Sequence, residues 1–485
     1  MARKKRAGRR GAAKSKKSTR PASPIPLPEE PEEPAYSGPD YFTQLPVELL
    51  MTIAKYGHMD AIRRIEHPVP NIAESSYVKP VFSLAAVSQR LRSIVVREPS
   101  FWSYIRIDAS TTEDEVVIAC LERSKGHPLT ILWIGERDTA GGPESSILDI
   151  IVQHSQRWIS FAIVAPTATY LRLMFMDGPF GCVEAPMLRK LYVANTDGDE
   201  EYFGVDLFDF PSIQHVQIYQ YPFGAIGTTM TTLTRLEANS PDGGHFGFEE
   251  LCSIAKDFTR LEYLSLSNGV EFDSYREYGW TKEQCDGLIT WASLRELVIE
   301  TDDEIWRYLK LFRAPRLQKF VAVGPGSRDF QASGADTSRI LANMPSVKEV
   351  CLLNPYIGED SARQLTALFP KITHLSLCHQ KDSGIKPSFG PLFHPGGLSD
   401  IWTWPNLESI TLGEFQGEAV VQSIIDCLQC RDDGGRGVSK IFIPRDQPDM
   451  ARELWAVRAD VRVADHIPTY SDYNLQPRGQ RRRGS

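Results

Sequence analysis

Apolar residues recur along most of the chain in one short phrase: an apolar residue, a second one three positions later, and a third two positions after that. The first clear copy is Leu129-Leu132-Ile134 and the last is Val438-Ile441-Ile443. Side chains two apart on a strand point the same way, so each phrase predicts a short strand with one buried face. The middle residues of the twelve copies, spaced 20 to 35 apart, are Leu132, Phe161, Leu191, Val216, Leu236, Leu264, Leu297, Phe320, Val350, Leu375, Ile410 and Ile441.

Helical patterns precede many of the phrases. They are predicted over Asp114–Ser124, Ser146–Gln156, Phe248–Asp257, Lys282–Trp291, Asp302–Phe312, Ser361–Phe369 and Glu418–Cys430. Three carry the Thr-x-x-Glu/Gln spacing of a capping box, namely Thr112/Glu115, Thr281/Gln284 and Thr301/Glu304. A proline stands two residues before six phrases, at positions 186, 211, 315, 345, 370 and 405, where we expect the chain to turn from helix to strand.

A strand–helix unit of this length cannot bury its own apolar faces, so neighbouring units must stack. The pattern resembles the Leu-x-x-Leu-x-Leu signature of leucine-rich repeats. The resemblance implies an α/β fold for residues 105–465, an arc with a parallel sheet inside and helices outside. Few copies carry an asparagine after the phrase, as Asn195 does, so the solenoid should be irregular. The alternative is a non-repeating α/β domain whose strands share a pattern.

Residues 41–104 form a distinct unit with two helical stripes. Apolar residues at Leu45, Leu49 and Ile53 follow helical spacing, with Pro46 at the first turn, where proline is tolerated. A second stripe begins near residue 81 and should stop at Arg97-Glu98-Pro99. A unit of about 64 residues is only marginally stable alone, so we expect it to lean on its neighbour.

This unit resembles the F-box-like region of fungal proteins. The resemblance rests on Leu45-Pro46-x-Glu48-Leu49, on the spacing of Leu84, Val87 and Arg90, and on Trp102. It departs from that pattern in a long insertion between the helices. It implies docking to the Skp-type adaptor, and through it to the cullin, of a cullin–RING ubiquitin ligase. The implied adaptor-binding residues are Leu45, Pro46, Leu49, Ile53, Leu84, Val87, Leu91 and Trp102. The alternative is that these side chains pack on the first repeat.

Positions that flank the buried residues of each phrase should face outward from the sheet. Large aromatic side chains on an exposed sheet are typical of recognition surfaces. The candidate target-binding residues are therefore Trp133, Tyr192, Tyr219, Tyr263, Glu296, Lys319, His374 and Lys440. Loops that cover the sheet, or a strand phase shifted by one residue, would remove such residues from the surface.

Charge is distributed unevenly. The net charge is −8, but residues 1–20 hold ten Lys/Arg and residues 476–485 hold four Arg, neither with any acid, which leaves about −22 on residues 21–475. An acidic body would repel a phosphate backbone, so we expect no nucleic-acid binding by it. Composition predicts disorder in residues 1–40 and 466–485. The basic N-terminal run is either a nuclear-import signal or a solvated tail, so the expected location is nuclear or cytoplasmic.

Composition and motifs favour a soluble protein without chemistry of its own. No apolar run is long enough to span a membrane, and eight cysteines in 485 residues are too sparse for a disulfide framework. Cys427 and Cys430 have CxxC spacing but lack a second ligand pair, so we expect a core helix and no metal or cofactor. The sequence contains no GxSxG, GxxxxGK[ST] or HExxH.

The two resemblances together imply a substrate-recognition subunit that holds a protein target near the ubiquitin-charged enzyme. Its contribution would be proximity, with no covalent step of its own. A ligase-independent repeat scaffold is the main alternative, and a hydrolase with a site at the strand ends is a weaker one.

Overall fold

The computed structural model describes residues 44–63, 79–135, 146–172, 183–196, 210–220, 230–239, 248–267, 287–300, 305–324, 334–353, 359–378, 404–413, 437–444 and 461–464, with isolated positions between 422 and 454. The chain divides into two compact units, Met1–Pro46 and Val47–Ser485. Of the first unit, the described residues are Gln44, Leu45 and Pro46.

The second unit begins with helices and continues into alternating strands and helices. The helices are α1 Val47–Arg63, α2 Lys79–Val87, α3 Gln89–Arg97, α4 Asp114–Ser124, α5 Ser146–Val152, α6 Ala168–Arg172, α7 Phe248–Asp257, α8 Ile305–Leu311, α9 Gly334–Asn343 and α10 Glu359–Leu368. Short 3-10 turns cover Pro99–Trp102 and Ser155–Arg157.

Fourteen of the described strands form one parallel sheet in which each strand pairs with its neighbours in sequence. They are β1 Tyr104–Asp108, β2 Leu129–Ile134, β3 Trp158–Ala165, β4 Lys190–Asn195, β5 His215–Tyr219, β6 Arg235–Asn239, β7 Tyr263–Ser267, β9 Glu296–Glu300, β11 Lys319–Val323, β12 Glu349–Leu353, β13 His374–Cys378, β14 Ser409–Leu412, β15 Lys440–Pro444 and β16 Val461–Ala464. The short strands β8 Ile289–Thr290 and β10 Phe312–Arg313 pair separately. All twelve predicted phrases are strands, and the α/β prediction is confirmed.

From β3 to β15, the second apolar residue of each phrase lies beside its counterpart on the next strand of the large sheet. Leu264, Leu297, Phe320 and Val350 are register partners in succession and are fully buried. The buried sides of the helices belong to the same hydrophobic cluster as these strand residues. One continuous core therefore lies between the sheet and the helices, and each strand completes the burial of the one before it.

Backbone hydrogen bonds repeat in step with the strands. From β5 to β15 of the large sheet, the residue before each strand donates its N–H to the equivalent residue before the preceding strand, as Gln318 does to Arg295 at 2.8 Å and Lys348 does to Gln318 at 2.9 Å. Just upstream, a four-residue turn carries proline in its second position, with Leu317 N–H donating to Ala314 O around Pro315. Proline suits that position because its fixed φ matches the turn, which confirms the predicted role of the prolines.

The N-terminal helices share the core of the sheet. Ala54, Val81, Val95 and Trp102 are buried in the same cluster as the strand residues. The expectation that this small unit leans on its neighbour is confirmed. As predicted, α3 ends at Arg97, where Glu98 N–H donates to Ile94 O at 3.1 Å.

Several boundaries differ from the sequence prediction. The second helical stripe is two helices, because the Ser88 hydroxyl accepts from Leu91 N–H and starts α3 anew. The helix predicted over Lys282–Trp291 is wrong at its C-terminal end, where Ile289 lies in strand β8 and pairs with Phe312 of β10. The helix from Ser146 ends at Val152 instead of Gln156.

The capping box at Thr112 is also wrong. The Thr112 hydroxyl accepts from Asp108 N–H at 2.8 Å, so it closes the turn after β1. Glu113 is the N-cap of α4, without a side-chain bond. The boxes at Thr281 and Thr301, and the CxxC pair, lie outside the described residues. Helices α6 and α9 and strands β1 and β16 were not predicted.

A buried ion pair joins α8 to α9, and its loss should destabilise the protein. Lys310 Nζ lies 3.0 Å from Asp336 Oδ1, with both side chains at most 9% exposed. We expect Asp336→Asn to lower the free energy of unfolding by about 3 kcal/mol, because a buried ammonium loses its carboxylate partner. Urea unfolding measures this. The control Glu262→Gln removes a carboxylate that is 52% exposed and lies 4.0 Å from Arg295, and should change stability by less than about 1 kcal/mol. Equal effects would contradict the assignment.

Gly413 ends β14 against the neighbouring strand. A Cβ at this position would lie 2.7 Å from the Cα of Cys378, whereas one at Gly126 would meet nothing within 4 Å. We expect Gly413→Ala to destabilise the protein by about 1–3 kcal/mol, since backbone must move to admit the methyl group. Gly126→Ala should be close to neutral. Thermal unfolding of both variants checks this, and an unchanged melting temperature for Gly413→Ala would refute the close approach.

Candidate functional site

The first candidate site is a set of exposed apolar side chains on α1 and α2. Leu49, Ile53 and Tyr56 recur at helical spacing on one side of α1 and are 49%, 48% and 75% exposed. Leu50 and Ala54, on the opposite side, are 1% exposed. The helix therefore carries two apolar stripes, of which only one is used for packing. An apolar stripe left facing solvent is typical of a protein-binding helix.

Helix α2 adds two more exposed apolar side chains. Phe82 is 41% exposed and Val87 is 63% exposed. We call Leu49, Ile53, Tyr56, Phe82 and Val87 the apolar helical surface. Large exposed apolar side chains close in sequence are uncommon on monomeric proteins and mark interaction sites.

The predicted adaptor-binding residues divide into exposed and buried groups. Leu49, Ile53 and Val87 are exposed; Pro46 is exposed and Leu45 is half-buried. Leu84 is half-buried against the main core. The prediction that Leu91 and Trp102 face a partner is wrong, since they are 1% and 2% exposed.

Trp102 is buried because it contacts residues of α2, α3 and α4. Its indole N–H donates to Val95 O at 2.8 Å, and the Arg123 guanidinium of α4 lies 4.4 Å above its ring. Phe82 packs edge-on against it, with ring centroids 5.8 Å apart. A small pocket lies here, lined among others by Phe82, Trp102, Arg106 and Cys120. Trp102 therefore connects the helices to the sheet, and Phe82 packs against Trp102 while remaining partly exposed.

The second candidate site lies on the sheet face opposite the main core. Glu237 on β6 is 6% exposed and collects hydrogen bonds from three side chains. Its carboxylate lies 3.1 Å from His215 Nε2 and accepts from Gln217 Nε2 at 2.6 Å and from Arg235 Nε. These residues project from adjacent parallel strands, where register partners stand about 5 Å apart. The sheet therefore assembles the cluster by register alone.

Electrostatics keep the Glu237 carboxylate ionised. Burial opposes ionisation, but the hydrogen bond from His215, the charge of Arg235 and the hydrogen bond from Gln217 outweigh it and lower the pKa of Glu237 to about 2. The Arg235 guanidinium lies 3.6 Å from the centroid of the Tyr263 ring. Burial raises the pKa of the Tyr263 phenol, so the cluster holds a charged acid beside a neutral tyrosine.

A second ion-pair group continues along the same sheet face. Lys319 Nζ lies 3.1 Å from Glu296 and 3.7 Å from Glu349, and all three side chains are partly exposed. Burial works against the ammonium, yet the two carboxylates raise the pKa of Lys319. His374 and Lys440 follow on later strands and are exposed. This face therefore presents charges of both signs in a fixed order.

The predicted target-binding residues lie at different depths. Tyr192, Tyr219, Glu296 and Lys319 are half-buried, and His374 and Lys440 are exposed. Two predictions of exposure are wrong. Tyr263 is 7% exposed beneath Arg235, and Trp133 is fully buried.

Trp133 points into the main core because the side chains of β2 alternate from Leu129 onward. Leu129, Ile131 and Trp133 belong to the core cluster, and Leu132 faces the other way. The Trp133 indole N–H donates to the Tyr170 hydroxyl at 3.1 Å.

Sequence reasoning missed part of both sites. His215, Gln217, Arg235 and Glu237 occupy alternate positions of two successive phrases, and that alternation was the available signal. Tyr56 continues the spacing of Leu49 and Ile53, so a longer α1 would have included it. The same sheet face also carries a second apolar cluster, with Val298, Val321 and Cys351 fully buried, which the simple division into inward and outward positions did not foresee.

The described ranges hold no group of three His, Cys, Asp or Glu side chains arranged for a metal ion. Nor, within those ranges, is any helix both long and apolar enough to cross a bilayer. Comparison of the chain with protein-family models found no match, and comparison with curated proteins found no relative.

The Glu237 cluster should appear in the pH dependence of stability. The folded pKa lies below the ordinary value of 4.5, so the carboxylate stabilises the fold above about pH 4.5 and this contribution is lost as pH falls towards 2. We expect the wild type to lose up to about 3 kcal/mol more than Glu237→Gln over that interval. Urea unfolding at pH 4.5, 3.5 and 2.5 measures the difference. If the free energy of unfolding fell in parallel with pH for the two proteins, the neighbours of Glu237 would not stabilise its ionised carboxylate.

Proposed function

We propose that the chain is a substrate-recognition subunit of a Skp–cullin–RING-type ubiquitin ligase. In this proposal the N-terminal helices are an F-box-like unit that binds the Skp-type adaptor, and the parallel sheet belongs to an irregular leucine-rich-repeat-like solenoid that binds a protein target. The target would then be marked for ubiquitin-dependent degradation.

The observation that carries the proposal is the unused apolar stripe of α1. Leu49, Ile53 and Tyr56 bury little surface within this chain, whereas Leu50 and Ala54 of the same helix are 1% exposed. A helix that exposes such a stripe gains stability when a partner covers it, because apolar area leaves water. The Leu-Pro-x-Glu-Leu start of the helix is the feature that favours an F-box partner over other proteins.

The strand order supports a repeat architecture for the remainder. Each described strand of the large sheet pairs in parallel with its sequence neighbours, and the same turn and hydrogen bond precede most of them. Stacked repeats of this kind offer a long surface for a protein partner. We assign target binding to the partly exposed polar residues of that face, chiefly Glu296, Lys319, His374 and Lys440.

A ligase-independent interaction scaffold is the second candidate. The ion pairs of the sheet face favour it, since they would serve a partner equally well without any adaptor. The two functions differ only in what covers the apolar helical surface.

The decisive test replaces Leu49 and Ile53 together by Asp and measures adaptor binding to the full chain. We expect at least a tenfold loss of affinity, since two charges would be buried in an apolar contact. The matched control is Ile118→Asp on α4, a residue 38% exposed outside this surface, which should bind as wild type does. Adaptor binding that is absent in the wild type would leave only the scaffold, whereas equal binding by the double variant would refute the apolar helical surface as the docking face.

A further inference from the structure

Arg92 on α3 is held in place by the end of α2. Its Nε donates to the backbone oxygen of Ala85 at 2.9 Å. Ala85 lies in the last turn of α2, whose carbonyls have no partner within that helix. A cation at a helix C-terminus is also favoured by the helix dipole. The bond therefore fixes a guanidinium on the surface of the helical unit, with its rotamer entropy already lost before any partner binds.

The guanidinium keeps donors to spare. Arg92 is exposed, and the part of the chain that the structure describes offers no acceptor to its two Nη groups. Val87, an apolar residue of α2 that is 63% exposed, lies two residues beyond Ala85. The guanidinium is therefore held at the end of the helix that carries Phe82 and Val87.

Local charge singles out the kind of partner. Residues 44–63 and 79–103 contain six Lys/Arg against three Asp/Glu, within a body of about −22. One of the three acids, Glu98, is already paired with Lys55 at 3.0 Å. The described helices therefore carry a small excess of positive charge within an acidic protein, and charge complementarity selects an acidic protein surface over a basic one.

We propose that Arg92 is a preformed carboxylate receptor at the edge of the apolar helical surface. The occupant is a protein that presents an Asp or Glu side chain beside the apolar residues that cover Val87. The planar fork of arginine matches one carboxylate, with the Nη groups donating while Nε stays on Ala85. This inference rests on the proposed function, because it describes the adaptor's side of that contact.

The test compares Arg92→Gln, Arg92→Lys and the control Arg97→Gln, which removes an equally exposed arginine from the same helix. Adaptor affinity for the full chain is measured by biolayer interferometry at 50 mM and 500 mM salt. We expect Arg92→Gln to bind roughly five- to tenfold more weakly at low salt and Arg97→Gln to stay within about twofold. The gap between Arg92→Gln and wild type should narrow at high salt.

Arg92→Lys keeps the positive charge and can still donate to Ala85, so it guards against misfolding as the cause of a loss. We expect it to bind about threefold more weakly than wild type, since the fork is gone. Wild-type affinity in both Arg92 variants, while Leu49→Asp with Ile53→Asp abolishes binding, would overturn the carboxylate receptor alone. A wild-type chain that binds no adaptor would overturn the proposed function and this inference with it.

Discussion

The fold depends on the lateral match between equivalent apolar residues on successive strands. No single strand of four to eight residues can bury its side chains, so the side chains of each strand pack against those of the next. The match is held at two levels, by side chains in register in the core and by the repeating backbone hydrogen bond just before each strand. Because the side-chain contacts and the backbone hydrogen bond recur at the same position of successive strands, a shift of one strand would displace all its contacts with the next. The register of the sheet is therefore the condition for both candidate sites.

The N-terminal helices are built against the start of this sheet. Trp102 is the residue that joins them, bonded to Val95 on one side and covered by Arg123 on the other. Because Trp102 fills the contact between helices and sheet, its side chain is buried, whereas the side chains of Leu49, Ile53 and Tyr56 remain exposed. Apart from Phe82, which packs on Trp102 and is also exposed, the side chains that fix the helices and those exposed on their surface are thus different ones. A protein can then dock on the helices without competing with the core for the same residues.

Much of the fold could be predicted from the sequence, because each phrase encodes a strand by local spacing. The twelve phrases lie in strands, and the prolines before them lie in turns, as predicted. Strand β1 was missed although Trp102-Ile105-Ile107 has the spacing of the phrase; its pairing to β2 defines it. Trp133 was misplaced because the phrase predicted Leu132 as the inward residue of β2, whereas the alternation along that strand places Ile131 and Trp133 inward. Ser88 shows the converse, because a single hydroxyl cap divides a stripe whose spacing reads as continuous.

The candidate sites were less accessible to sequence reasoning, since they depend on residues far apart in the chain. Arg235 and Glu237 are close in sequence, but His215 and Gln217 join them only across a strand pair. Arg92 became notable only once Ala85 O was seen to hold it. Spacing along a strand or helix finds faces, whereas the chemistry of a face requires the neighbours to be known.

Because the strands of the large sheet pair in the order in which they follow one another along the chain, the connections between strands need not share a length. The observed spacing of 20 to 35 residues between phrases already varies widely, while the strands from β3 to β15 keep their apolar residues in register. Insertions and deletions in those connections can thus accumulate over evolutionary time without disturbing the core. The rim of the sheet can diversify towards new binding partners while the interior stays as it is.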